Sequence, residues 1–328
     1  MQLVINTYGT YLHIKDELFE VRVKKDGVVN KHHFASQKVK SILLSKGAAI
    51  STDAIILAVK NNIDILVFEY DGTPIGRFWH SRPGSTSKIR KKQLEASLNE
   101  VGVDWVISWL GKKIANQVDF LKRLKKNRSS NADLIQERIN SIDALRKKIS
   151  KTSAKDISSI DDKLRGLEGS AGRIYFQTLN DLLSAQYKFK GRSFRPAVDP
   201  FNAFLNYAYG ILYSRVEKTL TIAGLDAFVG FMHRDDYNTK SLVFDFIEPY
   251  RTIADEVVFK LFSAKKVNSG HCDSITNGVS LNADGKTLLV EYFLKFFDED
   301  KIRHNGRNQT RSNAMQLDAH YFANQLIK

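Results

Sequence analysis

Two carboxylates and one imidazole in the second half of the chain are residue types that bind a hard divalent cation. Glu168, His233 and Glu248 are separated by 65 and 15 residues, so only the fold could bring them together. Such donors suit Mn²⁺ or Mg²⁺ and leave coordination positions for water and phosphate. Because the chain is also strongly basic, this combination favours phosphodiester chemistry on nucleic acid.

Two of these residues have an equally ordinary structural interpretation. Glu168 could be a first-turn carboxylate that a helix dipole favours. His233 ends an apolar run and could be a structural histidine. As a metal ligand it would need an acceptor for its other ring nitrogen, which Asp226 or Asp235 could supply.

Secondary candidates surround the same positions. Asp245 and Glu248 are three residues apart and could share one side of a helix, either as metal ligands or as a capping pair. Their neighbourhood is apolar, so unpaired carboxylates would cost free energy there. Arg251 follows on the same predicted helix. Arg173 comes five residues after Glu168 and could clamp a phosphate or pair with a carboxylate.

The basic excess is concentrated in one part of the chain. The formal net charge is +14, and residues 83–153 carry 16 Lys and Arg against 7 Asp and Glu. Such a segment could follow a DNA backbone, or it could be a helical face that lysines keep solvated. The candidates for DNA contact are Arg192, Arg195 and, from a cluster that also includes Lys112, Lys113 and Arg128, residues Lys122, Arg123, Lys125 and Lys126.

Residues 1–82 have the pattern of a small β-sandwich-like domain. Short runs of β-branched and aromatic residues predict strands at 3–5, 11–14, 18–23, 41–44, 63–68 and 75–79. Asp26-Gly27 and Asp71-Gly72 have the composition of hairpin turns. One helix is expected between Ser51 or Thr52 and Asn61-Asn62, because the apolar residues there recur at helical spacing.

The residues around Pro83 and Gly84 predict a domain boundary, since proline interrupts a strand and glycine loosens the chain. Beyond it, apolar residues recur at helical spacing, and only three prolines follow residue 83. The fold class predicted is therefore α+β, with the β-sandwich-like domain at 1–82 and a larger all-α catalytic domain at 83–328.

The composition argues against several other classes of protein. Cys272 is the single cysteine, which excludes an intrachain disulfide and a cysteine-based zinc site. No apolar run approaches a membrane span, and the start lacks the features of a signal peptide, so a cytoplasmic location is expected. A phosphate-loop motif for nucleotide hydrolysis is missing. Tyr175, Tyr207 and Tyr209 are of the residue type that a tyrosine recombinase uses as its nucleophile, but their spacing is typical of core or stacking residues.

Four strings, taken in order, resemble the motifs of one family. They are 168–176 (EGSAGRIYF), 206–212 (NYAYGIL), 224–233 (GLDAFVGFMH) and 245–251 (DFIEPYR). They closely resemble the CRISPR-associated integrase family Cas1, and the resemblance extends across the chain. The sequence departs from the family pattern at Gly172, Ala227 and Met232, where packing rather than the proposed ligands is affected.

The resemblance implies that Glu168, His233 and Glu248 bind one divalent metal, Mg²⁺ or Mn²⁺, in a helical catalytic domain. It implies an N-terminal domain used in dimerisation, and homodimers that sandwich a dimer of a small partner, Cas2, in a heterohexamer. Members of this family insert short double-stranded DNA fragments, the spacer precursors, into a CRISPR array.

The hypothesis that follows is DNA strand transfer, in which the 3′-hydroxyl of a spacer precursor attacks a phosphodiester of the CRISPR repeat. If water replaced the hydroxyl, the same centre would be an endonuclease. Two rivals stay open: a metal-dependent nuclease that only cleaves, and a non-catalytic nucleic-acid-binding scaffold. Joined products distinguish the first rival, and the effect of Glu168→Ala on activity distinguishes the second.

Overall fold

Among the residues that the structure describes, the N-terminal part contains two four-stranded β-sheets and one α-helix. This computed structural model describes residues 2–25, 27–39, 41–68, 74–78, 86–194, 196–233 and 239–328. The elements of the N-terminal part are β1 (Gln2–Ile5), β2 (Tyr11–Lys15), β3 (Leu18–Lys25), β4 (Val28–Ala35), β5 (Ser41–Ser45), β6 (Ala49–Ile50), α1 (Thr52–Lys60), β7 (Asp64–Phe68) and β8 (Pro74–Phe78).

The two sheets share one apolar core. One sheet has the strand order β1-β5-β7-β8, with β8 antiparallel to its neighbour and the other pairs parallel. The other has the order β4-β3-β2-β6, in which only β6 pairs in parallel. Leu12, Phe19, Ile42, Ala58 and Ile65 are completely buried in the shared core, so the predicted β-sandwich-like domain is confirmed.

The predicted helix begins where the sequence places it. The Ser51 hydroxyl accepts a hydrogen bond from Ala54 N at 3.2 Å, and Asn61 follows the last helical residue. Strand β6 was not predicted, because two residues give no detectable alternation. Asp26 and the Asp71-Gly72 turn lie outside the described residues.

The whole chain divides into two compact units, Met1–Pro83 and Gly84–Lys328, and helices dominate the larger unit. The larger unit contains α2 (Thr86–Ala96), α3 (Glu100–Lys126), α4 (Ala132–Ser150), α5 (Asp161–Asp181), α6 (Pro200–Ile222), α7 (Ser241–Phe246), α8 (Arg251–Ser263), β9 (Cys272–Ile275), β10 (Gly278–Leu281), α9 (Ala283–Leu294), β11 (Lys301–His304), β12 (Arg307–Thr310) and α10 (Arg311–Leu326). The α+β fold class is confirmed, and the hairpins β9–β10 and β11–β12 add to the predicted helices.

The long helix α3 is central to this unit. Val106, Leu110, Ile114 and Leu121 recur at helical spacing and are buried, which gives α3 an apolar stripe along its length. Helix α3 packs against α4, α8 and the turn that precedes α8, and α4 in turn packs against α5. In the part of the chain that the structure describes, no helix is both long and apolar enough to cross a membrane.

A buried polar cluster contains one residue from each of three helices: Tyr175 of α5, Tyr209 of α6 and Asp255 of α8. The Tyr209 hydroxyl of α6 donates to Asp255 Oδ1 of α8 at 2.6 Å, and both residues are buried. Burial raises the pKa of Asp255 from 3.8 to about 6, against the hydrogen bond from Tyr209, the neighbouring Tyr175 phenol and the positive charges of Arg192 and Lys113. The folded protein therefore keeps this proton over a pH range in which the unfolded chain has lost it.

Replacing Asp255 with asparagine should remove one component of the pH dependence of stability. In the wild-type protein the contribution of Asp255 to the free energy of unfolding is largest below about pH 4 and declines by on the order of 2–3 kcal/mol as the pH rises to about 6. Urea denaturation across this range should show a smaller decline in Asp255→Asn. Asp119→Asn, which changes an exposed carboxylate, should retain the full decline. Identical pH profiles for Asp255→Asn and the wild type would contradict this assignment.

Candidate metal centre

Glu168 projects from the middle of α5. The helix begins at Asp161, so Glu168 lies about two turns inside it, and its interpretation as a first-turn carboxylate is wrong. The buried residues Leu164 and Ala171, four before and three after it, set the face of α5 that packs into the core. The Glu168 side chain is 28% exposed, and its Oε1 accepts a hydrogen bond from Lys113 Nζ.

Glu248 lies in the 3₁₀ turn Glu248–Tyr250, which leads directly into α8. Its side chain is 7% exposed, and its Oε1 accepts a hydrogen bond from Arg251 Nε at 2.8 Å. Asn116 of α3 donates to the Pro249 carbonyl at 2.7 Å, which fixes the turn against α3. The Glu248 carboxylate is thereby held in a region from which water is largely excluded.

Lys113 of α3 connects the two carboxylates. Its ammonium contacts Glu168 Oε1 and lies 2.5 Å from Glu248 Oε2, and the whole residue is only 7% exposed. Burial would lower the pKa of Lys113, but the two carboxylates raise it above 10.5. Burial would likewise raise the pKa of Glu248, but Arg251 and Lys113 lower it from 4.5 to about 2. Lys113 and Glu248 are therefore charged at neutral pH, and Lys113 is not a lysine that keeps the helix surface solvated.

Asp245 of α7 fixes both the ring and the backbone of His233. Its Oδ1 lies 2.6 Å from the imidazole Nδ1 and accepts a hydrogen bond from His233 N at 3.1 Å. Its Oδ2 accepts hydrogen bonds from Phe231 N and Met232 N at 2.6 and 3.1 Å. With Nδ1 engaged, Nε2 is the ring nitrogen left to bind a metal.

The predicted acceptors for the His233 ring are corrected by this arrangement. The Asp226 carboxylate accepts a hydrogen bond from Phe228 N instead, and Asp235 lies outside the described residues. The sequence suggested Asp245 as a metal ligand or a cap. In the structure, both of its carboxylate oxygens accept hydrogen bonds from the loop that ends at His233, called the His233 loop below. Its observed contacts are those of a residue that positions the histidine.

Close packing determines the path of the loop before His233. The buried Gln93 of α2 donates to the carbonyls of Asp226 and Val229 at 2.8 and 2.7 Å. A Cβ atom built at Gly230 would lie 2.5 Å from the Ser241 Cβ, far inside normal contact distance. Glycine is therefore required for the loop to close on α7.

The loop and the two carboxylates are linked, although they do not form one cluster. Arg165, three residues before Glu168 on α5, donates to the Met232 carbonyl at 2.9 Å. Among the residues that the structure describes, no three His, Cys, Asp or Glu side chains are close enough to hold a metal ion. A common site for Glu168, His233 and Glu248 therefore stays a prediction.

The available donor atoms nevertheless fit a hard cation. Glu248 Oε2 is buried, and apart from the 2.5 Å ion pair with Lys113 it accepts no aligned hydrogen bond from the described residues. An ionised oxygen left in this state is well suited to a cation. With the Glu168 carboxylate and His233 Nε2 it makes a mixed oxygen and nitrogen set that Mn²⁺ and Mg²⁺ accept.

Two arginines lie against Tyr209, and one of them, Arg251, also pairs with Glu248. The guanidinium groups of Arg251 and Arg192 lie 5.1 and 5.6 Å from the centroid of the Tyr209 ring. Arg192 also donates to Asn202 Oδ1 and, at 2.9 Å, to Asn206 Oδ1. Both guanidinium groups are therefore oriented by the protein itself. Such fixed cations are suited to binding phosphate.

The other arginines and tyrosines considered in the sequence analysis do not lie beside the two carboxylates in the same way. Arg173 is exposed on α5, and Arg195 lies outside the described residues. Tyr175 and Tyr209 are core residues, as predicted, and burial raises the pKa of each well above 10. A buried phenol that resists ionisation is unsuited to act as a covalent nucleophile.

The predicted DNA-contacting residues of α3 lie further along the same helix. The first of them is nine residues beyond Lys113, which corresponds to roughly 14 Å. Arg123 pairs with Glu256, and Lys125 donates to Gln136 at 2.8 Å. Exposed side chains predominate in this set, which comprises Lys122, Arg123, Lys125 and Lys126.

A polar network from the C-terminal helix, which the sequence did not reveal, supports the Glu248 turn. Asp318 Oδ2 of α10 accepts a hydrogen bond from the Tyr250 hydroxyl at 2.7 Å and lies 3.0 Å from Lys112 Nζ. Asp318 Oδ1 lies 3.1 Å from His304 Nε2. Because Asp318 is 68 residues from Tyr250, no local pattern could have indicated this contact.

Solved structures share the fold of the chain. A CAS1 protein from Thermotoga maritima has a TM-score of 0.77 at 20% identity, covering 100% of this chain and 97% of that chain. A casposase bound to integration product has a TM-score of 0.76 at 20% identity, covering 100% and 93%. A chain of a Cas6-RT-Cas1–Cas2 complex has a TM-score of 0.73 at 21% identity, covering 99% of this chain and 35% of that chain.

Similarity in sequence identifies the family of the chain as well as its fold. A CRISPR-associated endonuclease Cas1 from Archaeoglobus fulgidus is 32% identical over an alignment of 330 positions, which includes 97% of this chain and 94% of that relative. The family model described as CRISPR associated protein Cas1 matches residues 3–295. On this match over nearly its whole length, the chain belongs to the Cas1 family of CRISPR-associated proteins.

Proposed function

We propose that this protein is a CRISPR adaptation integrase, which inserts spacer DNA into a CRISPR array by metal-dependent strand transfer. The observation that carries the proposal is the convergence of Glu168 and Glu248 on one cationic position. These carboxylates are 80 residues apart and lie on different elements, yet both contact the same ammonium group. Their placement in a basic member of the Cas1 family supports a phosphodiester substrate.

The proposed roles divide between the metal and the chain. Glu168, Glu248 and His233 Nε2 would hold Mg²⁺ or Mn²⁺, which supplies Lewis acidity at a phosphodiester. Asp245 keeps the imidazole in one orientation. Arg251 and Arg192 add fixed positive charge where the negative charge of the reacting phosphate develops.

The proposed reaction exchanges one phosphorus–oxygen bond for another. The 3′-hydroxyl oxygen of the spacer precursor bonds to a phosphorus of the repeat, and the bond to the 3′-oxygen of the cut strand breaks. The attacking hydroxyl loses its proton, and the leaving oxygen takes one up. Because one ester bond replaces another, no nucleotide cofactor is required, and water in place of the hydroxyl gives endonuclease activity.

The proposed assembly is a homodimer that uses the β-sandwich domain for dimerisation and joins a Cas2 dimer in a heterohexamer on double-stranded DNA. Support comes from two structures of the same fold. One is the casposase with its integration product, and the other is the complex that contains Cas2.

A second candidate function is that of a nuclease that cleaves DNA without joining it. The name endonuclease, given to the Archaeoglobus fulgidus relative, favours it. The two functions differ in their products, because only an integrase covalently joins a 3′-hydroxyl fragment to repeat DNA.

The deciding experiment is a strand-transfer assay with the purified protein, with and without its Cas2 partner. A labelled duplex with free 3′-hydroxyl ends is incubated with CRISPR repeat DNA in Mn²⁺ or in EDTA. We expect a joined product that forms in Mn²⁺ and is absent in EDTA. Cleavage without joining would establish the nuclease instead, and DNA binding with neither product would leave a scaffold.

Replacing His233 with alanine should lower the strand-transfer rate by roughly 100-fold or more, because the proposed nitrogen ligand is lost. The fold and the dimer should be retained, which circular dichroism and gel filtration check. His320→Ala, at an exposed position of α10, is the matched control and should join at the wild-type rate. Wild-type joining by His233→Ala would remove His233 from the active site.

Asp245→Asn should lower the strand-transfer rate by about 10- to 100-fold, the range typical of residues that orient a metal ligand. An asparagine offers one acceptor oxygen where the loop and the ring use two. The Mn²⁺ concentration for half-maximal joining should rise as well, which separates loss of ligand orientation from loss of a phosphate contact. Asp226→Asn serves as the control, and an unchanged Mn²⁺ dependence in Asp245→Asn would contradict its positioning role.

Replacing Lys122, Lys125 and Lys126 together with glutamine should weaken DNA binding at low salt. If each lysine neutralises one phosphate, the slope of log affinity against log salt concentration falls by up to about 3. Fluorescence anisotropy of a labelled duplex at several NaCl concentrations measures this slope. A triple change in the β-sandwich unit, Lys24, Lys31 and Lys60 to glutamine, is the charge-matched control. Equal slopes for the α3 variant and the wild type would exclude these lysines from the interface.

A further inference from the structure

Lys113 is placed unlike the other lysines of α3. It is the one lysine among the buried polar residues that the structure describes, whereas its neighbour Lys112 has a side chain that is 48% exposed. Both lysines are on the same helix, so the difference in their exposure comes from the residues that each side chain contacts. Lys112 contacts Asp318 near the surface, and Lys113 faces two carboxylates in the interior.

The Lys113 ammonium balances charges that would otherwise oppose each other. Glu168 and Glu248 come from different elements, and two ionised carboxylates brought this close repel each other in a partly dehydrated site. Arg251 already pairs with Glu248 through Oε1, so Lys113 adds a second cation on the other oxygen, Oε2. An ion pair needed only to neutralise Glu248 would not require this second partner.

The contact of Lys113 with both carboxylates coincides with the position a metal would need. A divalent ion bound by Glu168 and Glu248 must lie within about 2.0–2.2 Å of an oxygen from each. The Lys113 Nζ atom already lies between Glu168 Oε1 and Glu248 Oε2, at 2.5 Å from the latter. The ammonium and a metal ion cannot both fill that space.

We propose that the Lys113 ammonium occupies the cation position between Glu168 and Glu248 in the metal-free protein and leaves it when a divalent metal binds. The proposal rests on the metal site of the proposed function. Lys113 thus keeps the carboxylates together before metal binding and competes with the metal for them. The affinity for metal is therefore lower than the two carboxylates alone would give.

The test measures Mn²⁺ binding directly, by calorimetry on the purified full-length protein at one fixed pH. Lys113→Met keeps the length of the side chain and removes its charge. We expect it to bind Mn²⁺ about tenfold more tightly than the wild type, or better. The metal-free variant should melt at a lower temperature than the wild type, and Mn²⁺ should raise its melting temperature by more. Lys147→Met, which changes an exposed lysine of α4, is the control and should match the wild-type affinity.

An equal or weaker Mn²⁺ affinity in Lys113→Met would overturn the proposal, because it would make Lys113 a structural partner or an aid to metal binding. Glu248→Gln is the separate check on the proposed metal site. If Glu248→Gln binds Mn²⁺ as the wild type does, the metal lies elsewhere and the proposed function fails first.

Should Lys113→Met not fold, amine acetylation of the wild-type protein provides the test. Mass spectrometry then compares the labelling of Lys113 with and without Mn²⁺. Labelling should increase several-fold with Mn²⁺, since the ammonium loses its carboxylate partners, while labelling of the exposed Lys147 should stay constant. Unchanged labelling of Lys113 on Mn²⁺ binding would refute its displacement.

Discussion

The interaction on which the site depends is the buried contact of Lys113 with Glu168 and Glu248. Burying an ammonium or a carboxylate without a partner costs several kcal/mol, so Lys113 and Glu248 both need charged partners in their buried positions. Together they connect α3, α5 and the turn before α8 through opposite charges. The packing of these three elements therefore depends on the charge balance of the site.

Residues outside the proposed ligand set fix the surrounding elements through backbone contacts. Asp245 binds three successive backbone N–H groups of the His233 loop, and Gln93 binds two carbonyls further upstream. Asn116 and Asp318 secure the Glu248 turn from two sides. The donors are therefore oriented before a cation arrives, which reduces the reorganisation that binding requires.

Sequence patterns predicted those features that depend on local spacing. The β-sandwich followed from short apolar runs, and the start of α1 followed from Ser51. They failed where burial depends on distant residues: seven basic residues near α3 look alike in sequence, yet only contact with α5 and the Glu248 turn makes Lys113 an interior residue. Proximity in sequence also suggested Asp226 or Asp235 as the partner of His233, whereas the folded loop turns its ring towards Asp245.

Anomalous diffraction from crystals grown with Mn²⁺ tests most directly whether Glu168, His233 and Glu248 share one metal ion. We expect a single manganese peak within about 2.0–2.3 Å of one oxygen each from Glu168 and Glu248 and of the Nε2 atom of His233. In the same map, the Lys113 ammonium should have moved away from the space between the carboxylates. A manganese peak bound by other residues, with Lys113 still bridging Glu168 and Glu248, would contradict this metal site.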